Sequence, residues 1–173
     1  MPITLSGTSG GVGVIGASTA QNTTSGTSVV FTGIPSGVRR ITVMLNSIST
    51  TGTNPFIIQL GTSGGFVTTG YASTGSSATT GVGTNNTTVG LIVVASPPSG
   101  GSGATGTYSG LMTICQLDST IWTSSASLGQ DGVNHSTWAA GRASIAGTVT
   151  QLRLTTTTGV DTYDSGSMNI FYE

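Results

Sequence analysis

The sequence predicts an all-β chain: an antiparallel β-sandwich of jelly-roll-like form with an extended N-terminal arm. Three observations predict it. Apolar residues recur with period two, no stretch of ten residues has the composition and spacing of an amphipathic helix, and the strand-like runs are short and separated by Gly, Ser, Thr and Asn. Many short strands joined by turns suit two antiparallel sheets that each bury one face against the other, with a closed barrel as the alternative. A chain of 173 residues is long enough for one sizeable core. Residues 28–173 are therefore read as the sandwich domain and residues 1–27 as the arm.

The arm is rich in Gly, Ser and Thr, with isolated apolar residues and little to build a core from. It is expected to become ordered by docking on a neighbouring subunit, whose contacts would offset the roughly 0.5–1 kcal/mol that each glycine in regular structure costs relative to alanine. Residues 28–32 form the first strand, and Ile34-Pro35-Ser36-Gly37 supplies a turn in which proline presets the second position. Residues 40–46 alternate, with Ile41, Val43 and Leu45 on one face and Thr42 and Met44 on the other. Residues 50–55 make the next corner, and Pro55 opens the strand 55–60 where no ladder N–H is yet needed. Residues 62–69 and 73–88 read as long loops, 90–94 as a strand, and 96–103 as a linker-like loop within the domain. Strands follow at 108–117, 151–155, where the alternation is cleanest, and 167–172.

Composition narrows the function. Only 5% of residues are charged and none is lysine, against about 25% in ordinary soluble domains. Hydroxyls and amides must keep this surface wet, and self-association is expected. Four arginines (Arg39, Arg40, Arg142, Arg153) nearly balance five acids (Asp118, Asp131, Asp161, Asp164, Glu173), for a net charge of −1. That leaves no basic footprint for nucleic acid. No apolar run approaches the ~20 residues of a membrane span, and no basic residue precedes an apolar stretch at the start. Neither a signal peptide nor membrane insertion is expected. Cys115 is a lone cysteine in an apolar run and reads as a core thiol.

Gly11-Val12-Gly13-Val14-Ile15-Gly16 matches a dinucleotide fingerprint in form. The chemistry also needs a preceding buried strand, a following helix and an acid about 20 residues on. The first acid is Asp118, so the match is read as chance and no cofactor is expected. His135 is the only histidine; Asp131, His135 and Ser136 lie close in sequence, but a catalytic triad is defined by geometry, so no catalytic residue is assigned. One Cys and one His cannot close a zinc site. Asp161 and Asp164 are weak calcium candidates, more often turn formers. Trp122, beside Ile121, reads as core. Trp138, in a polar run with Asn134 and His135, has the character of a sugar-stacking residue, and Tyr71 stands between two loops. Tyr71, Asn134, His135 and Trp138 are thus the candidate glycan or receptor contacts.

Val29 to Leu45 (VVFTGIPSGVRRITVML), the short run Thr69-Gly70-Tyr71-Ala72-Ser73 and Gln151 to Glu173 (QLRLTTTTGVDTYDSGSMNIFYE) resemble a recurrent module of tailed-bacteriophage and prophage virion proteins of the tail-fibre-like group. The resemblance implies a virion component assembled in the host cytoplasm, a homotrimer exposed on the particle surface beside other virion proteins, with no defined active site to carry over. Three functional expectations follow. The first is a tail-fibre or spike module contacting host cell-surface polysaccharide. The second is a capsid decoration or cement protein. The weakest is an enzyme acting on host glycans, which would need two placed carboxylates.

Overall fold

The computed structural model describes residues 3–7, 11–78, 82–95 and 106–173. Among them there are fifteen strands and no helix, hence no helix long and apolar enough to cross a membrane. In chain order the strands are β1 Ile3–Gly7, β2 Gly11–Ala17, β3 Gln21–Asn22, β4 Val29–Thr32, β5 Arg40–Thr50, β6 Phe56–Thr62, β7 Gly65–Phe66, β8 Tyr71–Ala78, β9 Val82–Thr87, β10 Leu91–Val94, β11 Tyr108–Gln116, β12 Ile121–Gln130, β13 Ser136–Ser144, β14 Gln151–Thr156 and β15 Tyr163–Tyr172. One sheet has ten strands in the order β1-β2-β15-β5-β11-β12-β13-β8-β9, with β3 also on β15. The other has five in the order β10-β6-β14-β4, with β7 on β6. The two antiparallel sheets pack face to face as a sandwich, with β10 lying across β8, β12 and β13.

The alternating segments deliver the core as expected. Ile41, Val43 and Leu45 face inward from β5, Met112 and Ile114 from β11, and Leu152 and Leu154 from β14. Strands β6 and β10 instead read as continuous apolar runs because they are covered on both faces. The segment expected as an arm runs, where described, along this chain's own β15. β1 pairs with β2, whose last residues Gly16 and Ala17 lie opposite Tyr172 and Phe171, and β3 lies opposite Met168 and Ser167. The buried Thr23 then donates its hydroxyl to the Ser165 carbonyl.

Two segments expected as loops are strands. Within 62–69 lies β7, and within 73–88 lie β8 and β9, while 96–103 falls outside the described residues. The reason is that β8 alternates without hydropathy: Tyr71, Ser73, Gly75 and Ser77 face in and Ala72 and Thr74 face out. A Cβ on Gly75 would press on Ile92, Ala95 and Ala139. The facing sheet comes close enough there that only small side chains fit, and small polar residues give no period-two signal.

Strand β5 carries a bulge at Asn46 and Ser47. Against β11 the pairing jumps from Tyr108–Ile48 to Gly110–Leu45, and against β15 from Ser165–Ser49 to Ser167–Asn46. Ser47 sits at φ 50° and its N–H donates to Ser109 Oγ at 2.9 Å. On the β15 side Gly166, at φ 91°, packs against the Asn46 and Ser47 carbonyls. Such bulges sharpen strand twist, and here both neighbours must follow the bend. Gly166→Ala would impose a strained φ and a backbone collision together, so a loss of about 3 kcal/mol or more is expected in urea denaturation.

Arg40, Arg142 and Arg153 lie within strands, and the Arg39 and Arg40 N–H groups both donate to the Glu173 carbonyl. With no lysine, every tryptic site is thereby held in or beside a sheet. The native chain should resist trypsin under conditions that digest the heat-unfolded chain; rapid native cleavage at Arg39 or Arg40 would show that β5 opens.

Candidate functional site

On β13 the pleat turns Thr137, Ala139 and Ala143 inward and Trp138 outward, where the indole remains 47% exposed. Its cross-strand neighbours are Ser127 of β12 and Ser76 of β8. The same row continues through Leu111, 53% exposed, to Met44. The next row carries Thr113, Ser125, Ala140 and Thr74. Because its neighbours are small, the Trp138 ring borders a shallow hollow of about 420 Å³ lined by Thr74, Ser76, Ser125 and Ala140. An aromatic face beside hydroxyls on a rigid sheet can take the apolar face of a sugar ring and hydrogen-bond its edge.

The other candidates do not gather around it. Tyr71 is a correction: it opens β8 facing in and is 4% exposed. Its hydroxyl accepts from the Leu60 N–H at 2.9 Å and donates to the Val67 carbonyl at 3.0 Å, joining the two sheets. Burial pushes its phenol up to about 12. His135 is also a correction. It is 5% exposed, packs edge-on against Tyr108 with ring centres 5.6 Å apart, and places Nδ1 2.6 Å from Gln130 Oε1. The Tyr108 hydroxyl lies 3.2 Å from the same Nδ1, and Nε2 is buried without a partner among the described residues. Neither ring can reach a glycan, because each closes the core at its end of a strand. Asn134 is exposed, in the turn between β12 and β13, roughly 13 Å along the chain from Trp138 at about 3.3 Å per residue.

The acid, histidine and serine close in sequence do not form a relay. Asp131 accepts from the Thr107 hydroxyl at 2.8 Å, and Ser136 faces out where His135 faces in. Asp161 and Asp164 likewise diverge. Asp161 is 8% exposed and accepts from the Asn54 backbone N–H at 3.0 Å and from Asn54 Nδ2 at 2.9 Å, filling the space that a side chain at Gly52 would need. Asp164 accepts from the Ser49 hydroxyl. Asp161 pins a corner and Asp164 ties β15 to β5, and among the described residues no three His, Cys, Asp or Glu lie together as a cation site would require. Trp122 is buried as expected, whereas Cys115 is half-buried and lies between Arg40 and Thr123 on the outer side of the sheet. The glycine fingerprint is part of β2 and opens no helix.

These features define an all-β sandwich with an exposed indole on its larger sheet. Comparison with protein-family models, curated proteins and solved structures finds no match to this chain.

Burial disfavours the charged imidazolium, so His135 titrates below its ordinary value near 6.5. The unfolded chain therefore takes up a proton near pH 6.5 while the folded chain does so only at lower pH, and stability falls as pH drops through that window. The urea midpoint should decrease from pH 7 to pH 5. Asp118 and Asp131 are also held below the ordinary carboxylate range but act at lower pH, so His135→Gln should flatten the pH 7 to 5 interval specifically.

Proposed function

We propose that this chain is a non-enzymatic structural protein of a bacteriophage particle, a tail-fibre or spike module that contributes to attachment at the host surface. The observation that carries the proposal is the outward indole of Trp138, 47% exposed on a strand of the larger sheet in a chain with few charges. An exposed aromatic anchor with adaptable hydroxyls around it suits recognition, and recognition suits a scaffold whose acids are occupied in corners and turns.

The residues that carry the likeness to phage virion modules lend support from another side. The stretch Val29 to Leu45 supplies β4 and the first half of β5, and Gln151 to Glu173 supplies β14 and β15. Distant in sequence, they meet as hydrogen-bonded neighbours, β4 with β14 in one sheet and β5 with β15 in the other. The likeness therefore follows one folding framework. In this reading the working form is a homotrimer on the virion surface, and the ligand is cell-surface polysaccharide.

A second reading, a decoration protein of the head, is favoured by Leu111 and Val82, 53% and 67% exposed on the same sheet, since exposed apolar side chains suit docking on a shell. Gold-labelled antibody viewed by electron microscopy separates the two: label on fibres or the tail tip supports attachment, and label over the head supports decoration. For the attachment reading, Trp138→Ala should reduce binding of the purified chain to susceptible cells at least tenfold while leaving its urea midpoint nearly unchanged. Undiminished binding would remove Trp138 from the contact.

A further inference from the structure

A second recess lies at one end of the sandwich, apart from Trp138. It is a cleft of about 590 Å³ between the sheets, within the roughly 300–1,000 Å³ range of small-molecule sites. The residues leading into β5 form one side and the β11–β12 turn another, while residues 147–149 come from the connection between β13 and β14. Trp122 closes it from the core, 2% exposed, its indole N–H without a partner among the described residues, and the buried Val38 and Val149 stand beside it. Ser119, Thr120 and Thr148 bring hydroxyls to the rim.

The walls are fixed before any ligand arrives. Gln116 N–H donates to the Arg39 carbonyl at 2.8 Å, Leu117 N–H to the Ile121 carbonyl at 2.8 Å, and Ile145 N–H to the Thr120 carbonyl at 2.7 Å. The charge in the cleft is equally defined. Arg40 is neutralised by an ion pair with Glu173. Among the described residues Arg39 bonds no acid, and its side-chain bond there runs from Nη1 to Gln116 Oε1 at 2.9 Å. That contact orients the guanidinium and leaves the rest of its fork for an anion. The nearby acid, Asp118, is turned onto its own loop, where Oδ1 accepts from the Thr120 and Ile121 N–H groups at 2.7 Å each.

We infer that this cleft binds an acidic sugar, a hexuronic acid unit of a polysaccharide, with Arg39 taking the carboxylate and Ser119, Thr120, Thr148 and Gln116 taking ring hydroxyls. One cation matches one carboxylate per sugar, and the hydroxyl rim matches the vicinal hydroxyls. The site is independent of the Trp138 face, and it stands or falls separately from the position of the chain on the particle.

The test is fluorescence titration of the full chain carrying Trp138→Phe, which makes Trp122 the sole indole. The probes are oligogalacturonate and oligoglucuronate, with uncharged galactose and glucose oligomers of the same length as comparators. The expected result is a saturable change in Trp122 emission with at least one uronate, at least fivefold weaker binding of its neutral counterpart, and at least a tenfold loss in Arg39→Gln. Arg39 is exposed, so that variant should keep the parent's urea midpoint; Arg153→Gln, on the outer side of the other sheet, should bind as the parent does. Absence of response to both uronates, or equal binding by Arg39→Gln, would overturn the inference. Because the readout uses purified chain and a Trp138 variant, failure here leaves the attachment reading intact, and failure of cell binding by Trp138→Ala leaves this site intact.

Discussion

Strand β10 is held between the sheets by hydroxyl groups reaching across from the other side. Ser73 accepts from the Ile92 N–H at 2.9 Å and donates to the Ala140 carbonyl; Ser77 donates to the Ala95 carbonyl at 2.7 Å; Thr137 accepts from the Ala95 N–H at 3.1 Å and donates to the Ser76 carbonyl. β10 is an edge strand of the smaller sheet, and an edge buried without partners would leave polar backbone groups unsatisfied, at about 1–3 kcal/mol each. The larger sheet supplies the missing partners from its inner face. This dictates the composition of β8 and β13: inward residues there must be short enough to let β10 approach and polar enough to bond it. Apolar replacements would restore hydropathy and lose the edge.

The same economy of charge shapes the surface. Four of the few ionisable groups serve the backbone or one another: Arg40 with Glu173, Asp118 with its own turn, Asp161 with Asn54. The chain end is bound into the fold as well, since the Glu173 carbonyl receives the Arg39 and Arg40 N–H groups. What remains outside is mainly hydroxyl, amide and backbone, interrupted by Val82, Leu111, Leu117, Val133, Trp138 and Val160. On such a surface an isolated indole or an acid-free guanidinium stands out chemically, because few neighbouring charges compete with it or screen it.

Much of the fold was legible because the strands that carry large apolar side chains are the ones that alternate or run continuously. Ile41, Val43 and Leu45, the run from Phe56 to Leu60, and Leu152 with Leu154 announce burial by themselves. β8 and β13 were illegible by hydropathy for the reason just given: inward Ser73, Gly75, Ser77 and Thr137 look like loop residues unless the facing strand is known, and β9 buries no residue at all. Of the candidate contacts, Trp138 is on the surface because the pleat of β13 sends it there. Tyr71 and His135 are aromatic residues in polar sequence whose burial depends on register. The cleft at Arg39 had no sequence signal at all. Its parts come from three separated segments, and only the return of residues 147–149 beside the β11–β12 turn brings them together.

That origin bears on how the two surfaces differ. The Trp138 face is built on strands, so its geometry follows from cross-strand register, and small changes in Ser76, Ser125 or Ser127 would alter the depth of the hollow while leaving the framework alone. The cleft is built on turns held by backbone bonds, so residues at its rim can vary while the bonds from Gln116, Leu117 and Ile145 persist. For the proposed attachment role, this division would suit a variable polysaccharide. The sheet supplies a constant aromatic platform, the turns supply adjustable polar contacts, and neither demands a change in the buried hydroxyl network that joins β10 to the larger sheet.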